Sequence, residues 1–144
     1  MQKIAAYIQR GAMSFLRSEY TTLVYFAVIA MIFLGLISWN DPTSHPLIIV
    51  AFLIGAVFSA FAGYLGMRIA TKANVRTAHA AKTSLSKALD ISFAGGSVMG
   101  MGVVGLGILG LGVLFIVFQL MFNAEGQNGE AMVRVLNVLT GFSL

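Results

Sequence analysis

Two sets of residues in this 144-residue chain have types and spacings that could do chemistry. Gly100, Gly102 and Gly105 in the stretch GMGVVG stand in the G-x-G-x-x-G spacing of a dinucleotide site, and Glu125 follows 20 residues after Gly105, where an acidic residue would hold a ribose. Such a site works only where a strand ends in a tight turn and a helix N-terminus offers its free amides to the phosphates. Here the glycines lie inside the 32-residue uncharged run Ile91 to Phe122, and the spacing recurs at Gly105, Gly107 and Gly110. A helix face on which another backbone can approach closely accounts for that recurrence better than nucleotide binding does.

The second set is Arg68, Lys72 and Arg76, which recur every four residues and form one basic edge of a helix. That edge could attract a polyanionic substrate such as a phosphate compound. It could equally anchor a membrane helix, the long side chains reaching to anionic lipid headgroups. The anchoring reading is favoured, because a membrane protein needs such residues at its cytoplasmic ends in any case. His45 and His79 each lack a second ligand at metal spacing and read as solvated loop residues. Without cysteine there is no disulfide framework, no thiolate metal site and no cysteine nucleophile. No residue of the chain is assigned a catalytic, cofactor-binding or metal-ligating role.

The elements that position these residues belong to a membrane. Hydrophobic residues make up 58% of the chain and charged residues 10%, with a mean hydropathy of +0.90 and a pI near 9.8. Soluble domains carry about 25% charge, so an ordinary soluble enzyme or a disordered tail is excluded. Nine Lys and Arg are divided among apolar runs and cannot build the basic stripe that nucleic acid requires, so no nucleic-acid partner is expected.

Three runs are long enough to cross a bilayer: Thr21 to Ser38 with 18 uncharged residues, Leu47 to Met67 with 21, and Ile91 to Phe122 with 32. In hydrocarbon each backbone amide must pair within its own segment, so these are helices. The third run exceeds one perpendicular crossing and must tilt, project, or begin in the interface near Gly95 and Gly96. A fourth stretch, Ala131 to Leu144, is apolar apart from Arg134 and reads as the truncated start of another helix. The expected fold is all-α, a polytopic transmembrane helix bundle forming one partial domain over 1–144. Its spans are placed at about 21–38, 47–71, 91–122 and 131–144, the second drawn on past Arg68.

Lys3, Arg10 and Arg17 recur every seven residues, with Ile4, Ile8 and Phe15 roughly opposite. This predicts an amphipathic interfacial helix that leads into the first span. The apolar run is too long for a signal-peptide core and has no small-residue cleavage site after it. By connection the Lys and Arg count runs three, none, five and none, with Arg134 left over. The positive-inside rule therefore predicts a cytoplasmic N-terminus and a cytoplasmic connection from Arg68 to Asp90. Trp39, Asn40, Asp41 and Pro42 read as a helix end at the outer interface, and Pro46 as the restart of the chain.

Gly55, Ser59 and Gly63, with a parallel row of Ala62, Gly66 and Ala70, predict faces for close helix packing. The eight Met and most of the eleven Phe read as packing or lipid-facing residues. No charge lies inside the three long runs, whereas ion pathways normally place ionisable groups at depth. The chain thus reads as a supporting part of a membrane machine.

Four stretches together resemble the membrane-bound ion-translocating inorganic pyrophosphatases: IQRGAMSFLRSEY (Ile8 to Tyr20), GYLGMRIATKANVRTA (Gly63 to Ala78), KALDISFAGGSVMGMGVVGLGILGL (Lys87 to Leu111) and GFSL (Gly141 to Leu144). The second and third are the most specific. Arg10 departs from the acidic residue expected before Gly11, and Ser14 from an expected alanine. The resemblance implies a bundle of roughly sixteen helices in which pyrophosphate is held with Mg²⁺ by Lys and Asp residues, and hydrolysis drives proton or sodium transport. K⁺ as a further cofactor and a homodimer are implied in the same way. The motif positions for hydrolysis match nothing here, so these helices would form part of an outer ring, partnered by the bilayer and the remaining helices. They would be inactive alone. The charge pattern and glycine faces also fit a small stand-alone oligomerising scaffold or a holin-like pore protein.

Overall fold

The apolar runs fold as expected, into helices, and each helix extends well past its apolar run. In the computed structural model, which describes residues 2–40, 46–123 and 129–143, these are α1 (Gln2–Asn40), α2 (Leu47–Ala80), α3 (Leu85–Asn123) and α4 (Gly129–Ser143). Among the described residues there is no strand. Three helices are long and apolar enough to cross a membrane, over Lys3–Ser38, Leu47–Ala80 and Leu85–Phe122, and Ala131–Ser143 is a shorter apolar helix.

The amphipathic stretch at the start of α1 runs into the first span without a break, as one helix of 39 residues. At 1.5 Å per residue it is about 58 Å long, roughly twice the hydrocarbon thickness, so its basic first half lies outside the apolar layer. Helix α3 likewise begins at Leu85 and passes through Gly95 and Gly96 without interruption.

Between α2 and α3 the chain turns in four residues. The N–H groups of Thr83 and Ser84 donate to the Ala80 carbonyl, and the Ser84 hydroxyl accepts from the Lys87 N–H at 3.5 Å. Ser84 thus caps α3, its hydroxyl oxygen taking one of the N–H groups that the first turn leaves free. Before α2, the Pro46 carbonyl accepts from the Ile49 N–H, and the helix begins at the next residue. Asp41, Pro42, His45, Glu125 and Leu144 lie outside the described residues, as do the side chains of Trp39 and Asn40.

Contacts divide the chain into two units, Met1–Thr21 with Ala60–Gly105, and Thr22–Ser59 with Leu106–Leu144. The second unit holds the main apolar core. Ala51 of α2, Leu114, Phe118 and Phe122 of α3, and Val135, Val138 and Leu139 of α4 are buried together, with Leu47, Ile54, Phe115, Ala131 and Phe142 packed around them. Alanine at position 51 and glycines at 55, 110 and 141 let the backbones come close here. A Cβ on Gly55 would fall 2.5 Å from the Phe142 backbone oxygen, and one on Gly110 would fall 2.6 Å from the Phe142 ring. The Phe142 ring meets Phe58 edge to face, with centroids 6.2 Å apart, a preferred aromatic geometry.

Candidate functional site at the basic end

The first unit gathers most of the charge. Its two segments contain Lys3, Arg10, Arg17, Arg68, Lys72, Arg76, Lys82 and Lys87, eight of the nine cations, but only Glu19 and Asp90 of the five acids. Three helix segments bring them together, and small residues set the contacts. The Tyr20 hydroxyl of α1 donates to the Ala60 carbonyl of α2, one turn before Gly63. A Cβ on Gly63 would stand 3.5 Å from the Tyr20 hydroxyl oxygen. On the α3 side, Gly66 faces the Met99 thioether, whose Cε would be 2.6 Å from an added Cβ, and Gly95 faces the Ala73 methyl at 2.8 Å. The pairing of Gly66 with Met99 and Ala73 with Gly95 runs in opposite directions along the two helices, so α2 and α3 are antiparallel in this unit.

The Thr21 and Thr71 hydroxyls bond within their own helices. Thr71, the buried polar residue of the unit, donates to the Met67 and Arg68 carbonyls at 2.9 and 3.2 Å, and Thr21 donates to the Arg17 carbonyl at 3.0 Å. Back-bonding of this kind removes the cost of a hydroxyl in an apolar layer and leaves it no spare donor for a ligand. Arg68, Lys72, Arg76 and His79 are all exposed on α2.

The glycine set behaves differently from a nucleotide site. Gly100, Gly102 and Gly105 lie mid-helix in α3, where the amide of each residue is spent on the helix itself. No strand precedes them, and no helix N-terminus opens there. Among the described residues a packing partner is also absent: nothing lies within 4 Å of a Cβ built on Gly100, Gly102, Gly105 or Gly107. Of the repeated spacing, Gly110 alone meets neighbours here, Phe142 and Phe58. On α2 the predicted row splits as well. Gly55 packs on Phe142, Gly63 on Tyr20, and Ser59 between them is exposed.

Among the described residues no three His, Cys, Asp or Glu side chains gather closely enough to hold a metal ion. The described residues therefore offer no carboxylate cluster of the kind Mg²⁺ takes, an octahedral shell of carboxylate, phosphate and water oxygens. Sequence reading missed the two aromatic contacts that organise the units, Tyr20 on Ala60 and Phe142 on Gly55. The small residues gave a signal for each face, but nothing in the spacing marks the aromatic that fills it.

An all-helical chain with three membrane-crossing helices, their cations collected in one unit and their contacts set by glycine and alanine, defines an integral membrane protein of the polytopic class. The family model described as "Inorganic H+ pyrophosphatase" matches residues 1–144, and the chain belongs to that family. It is 53% identical over 119 residues to a putative K(+)-stimulated pyrophosphate-energized sodium pump of Clostridium tetani, an alignment covering 82% of this chain and 17% of that protein. It is 44% identical over 118 residues to K(+)-insensitive pyrophosphate-energized proton pump 2 of Moorella thermoacetica, with the same coverage. With the K(+)-stimulated pyrophosphate-energized sodium pump of Thermotoga maritima the identity is 43% over 121 residues, 82% of this chain and 16% of that one. The chain thus spans about a sixth of the length of these relatives. No solved structure matches it.

Proposed function

We propose that this chain supplies peripheral helices to a membrane-bound pyrophosphatase that couples hydrolysis of inorganic pyrophosphate to proton or sodium transport. The observation that carries the reading is the family match over residues 1–144, together with relatives whose names give pyrophosphate as the energy source. It favours this role over a stand-alone scaffold or a holin-like pore.

The chemistry of the segment agrees with a supporting role. Its apolar runs carry no charge at depth, and the hydroxyls of Thr71, Thr140 and Ser143 are bonded within their own helices. In this proposal Mg²⁺ and the groups that activate water belong to other parts of the pump, as the resemblance to the family implies. No residue here is catalytic. The partners are the bilayer, further helices of the pump, pyrophosphate at a site they provide, and a second copy in a homodimer. K⁺ acts as an activator in this reading, by analogy with the K(+)-stimulated relatives. The N-terminus and the α2–α3 turn face the cytoplasm, because that end holds the cations.

A chimera tests the reading. Residues 1–144 would replace the aligned segment of the Clostridium tetani pump, and membrane vesicles would be assayed for pyrophosphate-driven ion accumulation. The expected result is pyrophosphate-dependent uptake of the ion that the parent pump carries. A chimera that inserts normally and neither hydrolyses pyrophosphate nor accumulates ions would refute the proposal.

A further inference from the structure

The outward face of α2 changes its chemistry in a fixed order along the helix. Phe61 is 51% exposed and Tyr64 36% exposed, and Arg68, Lys72 and Arg76 follow, all exposed. Four of the five recur at intervals of four residues, so Tyr64, Arg68, Lys72 and Arg76 form a single row. The contacts of α2 within its unit fix where that row points. Ala60 and Gly63 meet Tyr20 of α1, while Gly66 and Ala73 meet Met99 and Gly95 of α3. At about 100° per residue, the middle of the row lies about 180° from the bisector of those two directions. The row therefore faces away from both neighbouring helices.

Depth agrees with this direction. The uncharged run of α2 ends at Met67, so Tyr64 falls within its last turn, where an amphipathic ring sits at the membrane interface. Arg68 and Lys72 follow at about 6 and 12 Å further along the axis, the depth of a headgroup layer and its edge. A guanidinium there can form two parallel hydrogen bonds to a phosphodiester, and the phenol stands at the glycerol level beside it.

We propose that the exposed Tyr64–Arg68–Lys72 row of α2 is a binding site for the phosphodiester headgroup of an anionic phospholipid. The shared chemistry is that of a phosphate group, and the lipid is favoured over free pyrophosphate on two grounds. The row is continuous with an exposed apolar surface that acyl chains can cover, including Phe61. It also offers no carboxylate through which a metal-bound pyrophosphate could be held: on α2 there is no Asp or Glu at all. The proposal needs only that α2 crosses the bilayer with this row toward lipid, and it does not rest on the pump reading.

The test uses the full chain in nanodiscs of mixed phosphatidylglycerol and phosphatidylcholine, symmetric in both leaflets so that orientation does not enter. The ratio of the two lipids that the extracted protein retains is read by native mass spectrometry. Phosphatidylglycerol should be enriched, and Arg68→Gln/Lys72→Gln should reduce the enrichment by about fivefold for each cation lost. Lys82→Gln/Lys87→Gln removes the same charge beyond the headgroup layer and should leave the ratio unchanged. Arg68→Lys should keep most of the enrichment, which shows that the row still folds. Excess pyrophosphate at matched ionic strength should not displace the lipid. An unchanged ratio in the Arg68→Gln/Lys72→Gln variant, an equal loss in the Lys82→Gln/Lys87→Gln variant, or displacement by pyrophosphate would each overturn the assignment.

Discussion

The Tyr20 hydroxyl donates to the Ala60 carbonyl, a side chain of α1 bonding to the backbone of α2 at a place where Gly63 leaves room for the phenol. The acceptor already serves its own helix, since the carbonyl of residue 60 takes the N–H of residue 64 in the regular α pattern. A carbonyl has two lone pairs and can hold both. The bond therefore ties two helices together without unwinding either.

Tyr20→Phe should keep the packing over Gly63 and lose the bond alone. Hydrogen bonds between membrane helices are worth about 0.6 kcal/mol on average and about 1.7 at most. A destabilisation in that range is expected in reversible unfolding by denaturing detergent. No change would mean that the phenol finds an equal partner in water or lipid.

Glycine substitutions should separate two kinds of close approach. A Cβ on Gly55 meets the backbone oxygen of Phe142 at 2.5 Å, with its carbonyl carbon and Cα at 3.2 Å, and backbone cannot turn aside. Gly55→Ala should therefore cost about 1 to 3 kcal/mol despite the better helix propensity of alanine. Gly63→Ala places its methyl at 3.5 Å from the Tyr20 hydroxyl, ordinary contact, and should be neutral or slightly stabilising. Gly63→Leu carries branches into the phenol and should destabilise, while Val57→Leu should not. These differences are read as shifts in thermal midpoint in one detergent.

Gly105 marks the limit of what the sequence disclosed. Its spacing with Gly100 and Gly102 predicts a packing face, yet none of the described residues comes within 4 Å of a Cβ built there. Periodicity reports that a face is small and says nothing of which helix covers it. The same reason explains why Gly63 was legible and Tyr20 was not: an aromatic that fills a groove has the same composition as one that faces lipid. Helix identity was legible because uncharged runs in hydrocarbon have one way to satisfy their amides. Helix ends were less so, since α1 and α3 continue through charged residues that hydropathy alone would leave outside. The basic row was visible at once in Arg68, Lys72 and Arg76, but its direction needed the contacts of Gly63 and Gly66. Gly105→Leu should accordingly leave the isolated chain as stable as the parent, and lower the stability of a pump in which another helix covers α3.

Topology can be read from accessibility, because the chain has no cysteine of its own. Single cysteines at Ser44 and Asn128 should react with a membrane-impermeant thiol reagent added to intact cells. One at Ser84, in the turn between α2 and α3, should react only after the membrane is permeabilised. Labelling of Ser84 in intact cells would invert the proposed orientation.

The purified 144-residue chain should hydrolyse no pyrophosphate and move no ion, even with Mg²⁺ present. Hydrolysis of a metal-bound pyrophosphate needs several oxygen ligands converging on the metal and a group that positions the attacking water. The basic end, where a polyanion would first be attracted, has Glu19 and Asp90 as its only acids within the two segments that form it. They lie on α1 and α3 and have no third His, Cys, Asp or Glu gathered with them among the described residues. Cations alone bind phosphate and cannot activate water. Phosphate release would be measured on chain from which any host pyrophosphatase has been removed, with the chimeric pump as the positive control. Mg²⁺-dependent turnover by the chain, lost in Asp90→Asn and retained in Arg134→Gln, would place the hydrolytic site at the basic end of these helices.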